Sequence, residues 1–174
     1  MTILQPHINQ GDTKLVSQQF HKGWDPQGCL KQVEDALVKT NNKVDALLGN
    51  YDGFTLAAMP AFKQAGLLGK VWIGGEDVFP EAAQAIAEGN MAMSAYTDLK
   101  EMAQKAVQAA FTLANGQVPT SNTSQDNGFK KVPGDSISSF AVTKDNLCKF
   151  LKDTGWASFE KVYQNIPADQ RPRC

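Results

Sequence analysis

Trp24, Tyr51 and Asp77 carry the most suggestive chemistry in this chain, because each stands just beyond a stretch that reads as a β-strand. A flat aromatic ring covers the C–H face of a sugar, and a carboxylate accepts hydrogen bonds from neighbouring hydroxyls. A nonpolar face bounded by hydroxyls describes a pyranose. Thr97 closes another strand signal and is expected at the same sheet edge as Asp77. The same residues also have a purely structural reading, in which Trp24 packs under its loop and Asp77 caps the following turn. Both readings stay open on residue type alone.

Other chemistries find little support. His7 and His21 have no partner at metal-ligand spacing, and there is no nucleophile elbow, Walker A sequence or His-Glu-x-x-His. No catalytic residue, no cofactor and no metal are therefore expected. Gly74-Gly75 lacks the G-x-G-x-x-G spacing and the helix entry of a phosphate loop. Cys29, Cys148 and Cys174 form no Cys-x-x-Cys pair, so neither structural zinc nor a redox motif follows, and reduced thiols are the plain expectation. In an oxidising compartment, Cys148 with Cys174 is the pair to test.

The elements that must hold these residues centre on 70–98. Val71-Trp72-Ile73 is a short apolar run of strand formers that stops at Gly74-Gly75, and the acids Glu76 and Asp77 follow. Pro80 falls where a first helical turn begins, 82–87 are strong helix formers, and Gly89-Asn90 can take positive φ. A strand over 91–96 completes a βαβ unit, which places strand C-termini on one edge of a parallel sheet, where open α/β folds bind ligands.

Elsewhere, 1–11 read as the end of a helix closed by Gly11, and 14–20 as a strand. Asp25 is a plausible N-cap with Pro26 at the first helical position, and Leu30, Val33 and Leu37 give a buried stripe for a helix reaching about Thr40. A strand over 44–50 precedes a helix over 53–65 that should kink at Pro60. Residues 99–115 form an amphipathic helix. Residues 117–134 read as loop, and 137–142 as a strand. Asp145 is expected to cap a helix over 147–153 that buries Leu147, Phe150 and Leu151, with a short helix within 156–166. The alternation predicts an α/β fold, a Rossmann-like parallel sheet with helices on both faces.

Composition narrows the class. With 174 residues the chain suits one domain, and 42% hydrophobic with 20% charged residues is ordinary for a globular protein. Seventeen Lys plus Arg against 18 Asp plus Glu leave no basic field, so no nucleic acid partner is expected. The longest apolar runs fall far short of the ~20 residues of a membrane span, and MTILQPHINQ, without a charged n-region and an apolar core, is not expected to act as a signal peptide.

Three ordered blocks then match a known family. They are GWDPQGCLKQVEDALVKTNNKVDALLGNYDG (23–53), GLLGKVWIGGEDVFPEAAQAIAEGNMAMSAYTDLKEMA (66–103) and VPGDSISSFAVTKDNL (132–147). The chain resembles the carboxyl-terminal lobe of periplasmic sugar-binding proteins of bacterial ABC transporters, of the ribose and xylose group and closest to xylose-binding proteins. That resemblance runs through nearly all of the chain. It implies one lobe of a type I periplasmic binding protein, with 1–98 and 137–160 as lobe core and 99–136 as crossover helix and loop. It implies no enzymatic activity, a periplasmic or extracytoplasmic setting, a monosaccharide ligand and an ABC permease or sensor as partner. Trp24 would stack on the sugar, Asp77 would accept from its hydroxyls, and Thr97 would stand at the cleft. Tyr51 falls where xylose-binding relatives carry an asparagine, and Thr97 where they carry a lysine.

A full member would precede Met1 with the first lobe, an export signal and a central strand. As written, the chain is expected to bind sugar weakly and to associate as a homodimer, possibly domain-swapped, through the apolar face of 99–115 and the open sheet. Rival readings are a non-sugar-binding interaction or regulatory protein and, more remotely, a flavodoxin-like enzyme, for which no cofactor loop is present.

Overall fold

The computed structural model describes residues 3–174, so Met1 and Thr2, at the start of the helix expected over 1–11, lie outside it. The chain forms two compact units, one from the chain up to Ser94 with Val142–Cys174, the other from Ala95–Ala141. In chain order the elements are α1 (Leu4–Gln10), α2 (Pro26–Thr40), β1 (Ala46–Leu48), α3 (Asp52–Gln64), β2 (Trp72–Glu76), α4 (Pro80–Glu88) and β3 (Met93–Thr97). Then come α5 (Leu99–Ala114), β4 (Thr123–Asp126), β5 (Lys131–Gly134), β6 (Ser139–Thr143), α6 (Lys144–Thr154) and α7 (Phe159–Val162).

One sheet has the order β1-β2-β3-β6. β1 pairs with β2 in parallel, Ala46 opposite Trp72 and Leu48 opposite Gly74, a pairing that needs the α3 crossover between them. Helix α2 packs on α3, and α4 packs on α6 and α7. The core of the first unit draws Val33 and Leu37 from α2, Phe54, Ala58 and Phe62 from α3, Ile73 from β2, Ile86 from α4 and Leu147 and Phe150 from α6. Each of the larger side chains contributes about 1.5–3 kcal/mol by leaving water.

Local signals explain most helix ends. Asp25 accepts from the Gln27 and Gly28 N–H groups at 3.0 and 3.2 Å, with Pro26 at the first position of α2. Gly89 takes φ 80° and closes α4, as Gly11 at φ 83° closes α1. Helix α3 runs through Pro60, which forgoes one backbone hydrogen bond.

Several expectations need correction. Residues 14–20 form no strand. They are mostly exposed, Leu15 and Phe20 included, and strand-forming side chains without a neighbouring strand have no ladder to join. Gly74 and Gly75 lie inside β2 rather than ending it. The loop expected over 117–134 contains the antiparallel hairpin β4–β5, with Gln125 opposite Val132. Its turn is built by Asn127, whose side chain accepts from the Phe129 and Lys130 N–H groups, and by Gly128 at φ 82°. Helix α6 starts earlier than expected, with Thr143 as N-cap in place of Asp145 and Asn146 Oδ1 accepting from the Thr143 N–H at 2.8 Å. Its buried residues are the three expected, Leu147, Phe150 and Leu151. Cys148 and Cys174 form a disulfide with Cα atoms 5.4 Å apart, while Cys29 is a free, buried thiol.

In the second unit, Asp98 caps α5 by accepting from the Lys100 and Glu101 N–H groups, both at 3.0 Å. Lys105 bridges Glu101 at 3.2 Å and Asp135 at 3.1 Å. The half-buried residues of α5 are Glu101, Lys105, Ala109 and Thr112, whereas Leu99, Met102, Val107, Phe111 and Leu113 are exposed. This helix turns its polar face inward and its apolar arc outward.

Candidate functional site

The first unit brings Trp24, Tyr51 and the loop bearing Asp77 into one aromatic chain. Trp24 is not held at the end of a strand, since 14–20 are coil. A short 3-10 turn, Lys22–Trp24, delivers it immediately before α2. Gly23 takes φ 70° and Trp24 itself φ 56°, the left-handed region that a bulky side chain rarely enters. The turn is tied down by His21, whose Nε2 pairs with Gln32 Oε1 at 2.9 Å, while Gln32 donates to Ser17 at 2.9 Å. A Cβ at residue 28 would crowd the His21 ring, so Gly28 makes room for it.

Trp24 remains 59% exposed. Its ring meets Tyr51 edge-on at 5.6 Å and lies nearly parallel to Phe54 at 6.0 Å. Tyr51, in turn, is edge-on to Phe54 at 5.2 Å and to Phe79 at 5.5 Å. Rings following β1 and β2 thus connect Trp24 to the segment beside Asp77. Such contacts fix ring planes and leave one broad face of an exposed ring available.

Asp77 follows β2 with φ 96°, and Val78 follows at φ 53°. The Asp77 carboxylate is exposed, and among the described residues no hydrogen bond is made to it. Helix α4 has Phe79 at its N-cap position, with no side-chain cap.

Beneath this loop lies a residue that sequence reasoning missed. Asp52, at the first position of α3, is fully buried; its Oδ2 accepts from the Phe79 N–H at 2.8 Å, and Ser94 Oγ lies 2.8 and 3.0 Å from its two oxygens. Ser94 Oγ also accepts from the Val78 N–H at 2.9 Å, and Trp156 Nε1 donates to the Val78 carbonyl at 2.6 Å. Burial pushes the Asp52 carboxyl up from 3.8 to about 6, with the Asp77 charge adding to the rise and the hydrogen bonds from Phe79 and Ser94 opposing it. A Cβ at Gly75 would collide with Asp52 Oδ1. The Gly-Gly pair in β2 was the available signal, and it marks a side chain packed against the strand rather than a phosphate.

Thr97 belongs to the second unit, where its hydroxyl pairs with Ser139 Oγ at 2.7 Å. Among the described residues no group of three or more His, Cys, Asp or Glu side chains is placed to hold a metal ion.

The α/β sheet with helices on both faces, with Tyr51 just past β1 and Asp77 just past β2, has the architecture of one lobe of a type I periplasmic binding protein. The chain belongs to the periplasmic binding protein family, whose periplasmic binding protein domain matches residues 2–117. It is 36% identical over 154 residues to a D-xylose-binding periplasmic protein of Escherichia coli, an alignment covering 88% of this chain and 46% of that protein. A D-xylose-binding periplasmic protein of Haemophilus influenzae is 31% identical over 163 residues, covering 94% and 49%. The fold is shared with a carbohydrate transporter solute binding protein from Chloroflexus aurantiacus in complex with D-glucose, at TM-score 0.79 and 23% identity, covering 92% of this chain and 54% of that one. The chain spans about half the length of the curated relatives it matches. No helix among the described residues is long and apolar enough to cross a membrane.

Proposed function

We propose that this chain is a monosaccharide-binding lobe, an incomplete half of a sugar receptor serving an ABC transporter, with a xylose-like pyranose as ligand and no enzymatic activity. The observation that carries this reading is the pairing of an exposed Trp24 at φ 56° with an uncommitted Asp77 at φ 96° on one unit. Backbone strain of this kind costs about 1–3 kcal/mol per residue and concentrates where a side chain must be presented to a ligand. Trp24 offers the stacking face, Asp77 accepts from sugar hydroxyls, and Tyr51 lines the wall between them. Thr97 is a further candidate sugar contact. Residues 1–98 with 137–160 act as lobe core and 99–136 as crossover helix and loop. The Cys148–Cys174 disulfide suits an extracytoplasmic setting, and a permease or sensor surface is the corresponding partner.

A single lobe supplies part of the contacts that a closed cleft would, so its affinity is low. The test is a thermal-shift series with D-xylose, D-ribose, D-glucose and D-galactose at high millimolar concentration, since a ligand that binds only the folded state raises the melting temperature by mass action. The reading expects a rise with one of these sugars, lost in Trp24→Ala. A cooperative melt that no sugar moves counts against it.

A second reading has its own observation, the outward apolar arc of α5 from Leu99 to Leu113. On that reading the chain self-associates as a homodimer or domain-swapped pair, burying this arc. Sedimentation at micromolar concentration decides it: a dimer that Phe111→Glu returns to monomer supports the arc as the interface, and a wild-type monomer removes the reading.

A further inference from the structure

Asp77 and Val78 are consecutive non-glycine residues at positive φ; an aspartate enters that region more readily than most side chains, but nothing in a valine favours it. Valine is β-branched and is a clear outlier there. The restraint comes from three other elements. Asp52 at the start of α3 accepts from the Phe79 N–H at 2.8 Å, Ser94 in β3 accepts from the Val78 N–H at 2.9 Å, and Trp156 beyond α6 donates to the Val78 carbonyl at 2.6 Å. Ser94 and Asp52 are joined at 2.8 Å, so the Val78 and Phe79 N–H groups meet one connected pair, and Trp156 holds the Val78 carbonyl separately. Asp52 and Ser94 are 0% exposed and cannot reach a ligand. Gly75 supplies the space in which Asp52 sits.

We propose that Asp52, Ser94 and Trp156 are positioning residues that hold Asp77 and Val78 in the left-handed conformation, and so fix where the Asp77 carboxylate is presented. The link to a sugar rests on the functional reading above; the positioning itself does not. A buried hydroxyl that bridges an amide and a carboxylate has only one arrangement that satisfies all three groups, which makes it a rigid strut rather than filler. Trp156 adds a second strut through the Val78 carbonyl, in a segment closed off by the Cys148–Cys174 disulfide.

Hydrogen exchange followed by NMR at the Val78 and Phe79 amides, with the HN–Hα couplings of Asp77 and Val78 as reporters of φ, tests this on the full chain without any ligand. Ser94→Ala is expected to speed exchange at both amides at least tenfold and to change both couplings, while the Val33 and Leu37 amides of α2 keep their protection. Ser94→Thr, which retains the hydroxyl, is expected to restore protection at Val78. Trp156→Phe, which keeps a ring and removes the donor, gives the same loosening by an independent route should Ser94→Ala fail to fold. Unchanged exchange and couplings in a folded Ser94→Ala or Trp156→Phe variant overturn the proposal. If the wild type binds a sugar, loosened variants are expected to bind it about tenfold more weakly. If the wild type binds none, the functional reading fails while the exchange result still decides the positioning role.

Discussion

At the residue scale, Asp52 makes the sharpest prediction because it is an acid buried under a loop. Its folded-state value of about 6 lies above its ordinary 3.8, so between about pH 6 and pH 4 the folded chain takes up a proton that the unfolded chain does not. The contribution is therefore fully present below the unfolded value and lost as pH rises through about 6. Urea midpoints measured at pH 7 and pH 4.5 should show the acid-side gain in wild type, and Asp52→Asn should flatten that part of the difference. Trp24→Ala makes the opposite kind of prediction. With its ring 59% exposed, its loss costs about 1 kcal/mol through the Tyr51 and Phe54 contacts, and a denaturation midpoint close to wild type is expected even where the sugar response disappears. The positions of Tyr51 and Asp77 just past β1 and β2 could be read from sequence because strand-end signals are local, whereas the placement of Trp24 rests on a strand over 14–20 that does not form. Asp52 could not be read this way: its role depends on Ser94, 42 residues away, and on a gap left by Gly75 in another strand.

At the element scale, β2 and α3 fit together through an absent side chain. Gly75→Ala would drive a methyl group into Asp52 and Met91, and overpacking of that kind costs about 1–3 kcal/mol, read as a lowered urea midpoint. Gly11 and Gly128, whose missing Cβ has open space around it, would show only the backbone cost of positive φ on the same substitution. Elements with complete local signals were readable in advance. Asp25-Pro26 opens α2 and Asn41 at φ 51° closes it, while Pro80 and Gly89 bracket α4. Elements whose existence depends on a distant partner were not. Residues 14–20 have the composition of a strand but no neighbouring ladder, and the β4–β5 hairpin hides in a stretch whose Pro, Ser and Asn content reads as loop. The Asn127-Gly128 pair was the available signal for that hairpin. Thr143 displaced Asp145 as the cap of α6 because Asn146 sits three residues beyond it and reaches back to its N–H.

At the scale of the whole molecule, the Cys148–Cys174 bridge closes a 26-residue separation that includes α7 and Trp156. In the chain-entropy account such a loop is worth about 3 kcal/mol, so reduction should lower the melting temperature, measured with and without reductant under otherwise equal conditions. The outward apolar arc of α5 places a second demand on the molecule, which the sedimentation experiment addresses. The chain spans about half the length of the curated relatives it matches, and the central claim is that it carries a sugar-facing surface around Trp24 and Asp77. The most direct measurement is an NMR titration of the isotope-labelled chain with D-xylose into the tens of millimolar, following the Trp24 indole N–H and the amides of Tyr51, Asp77, Val78 and Phe79. Saturable shifts confined to these groups are the expected result. Shifts that are absent, or spread evenly over the surface without saturation, would contradict it.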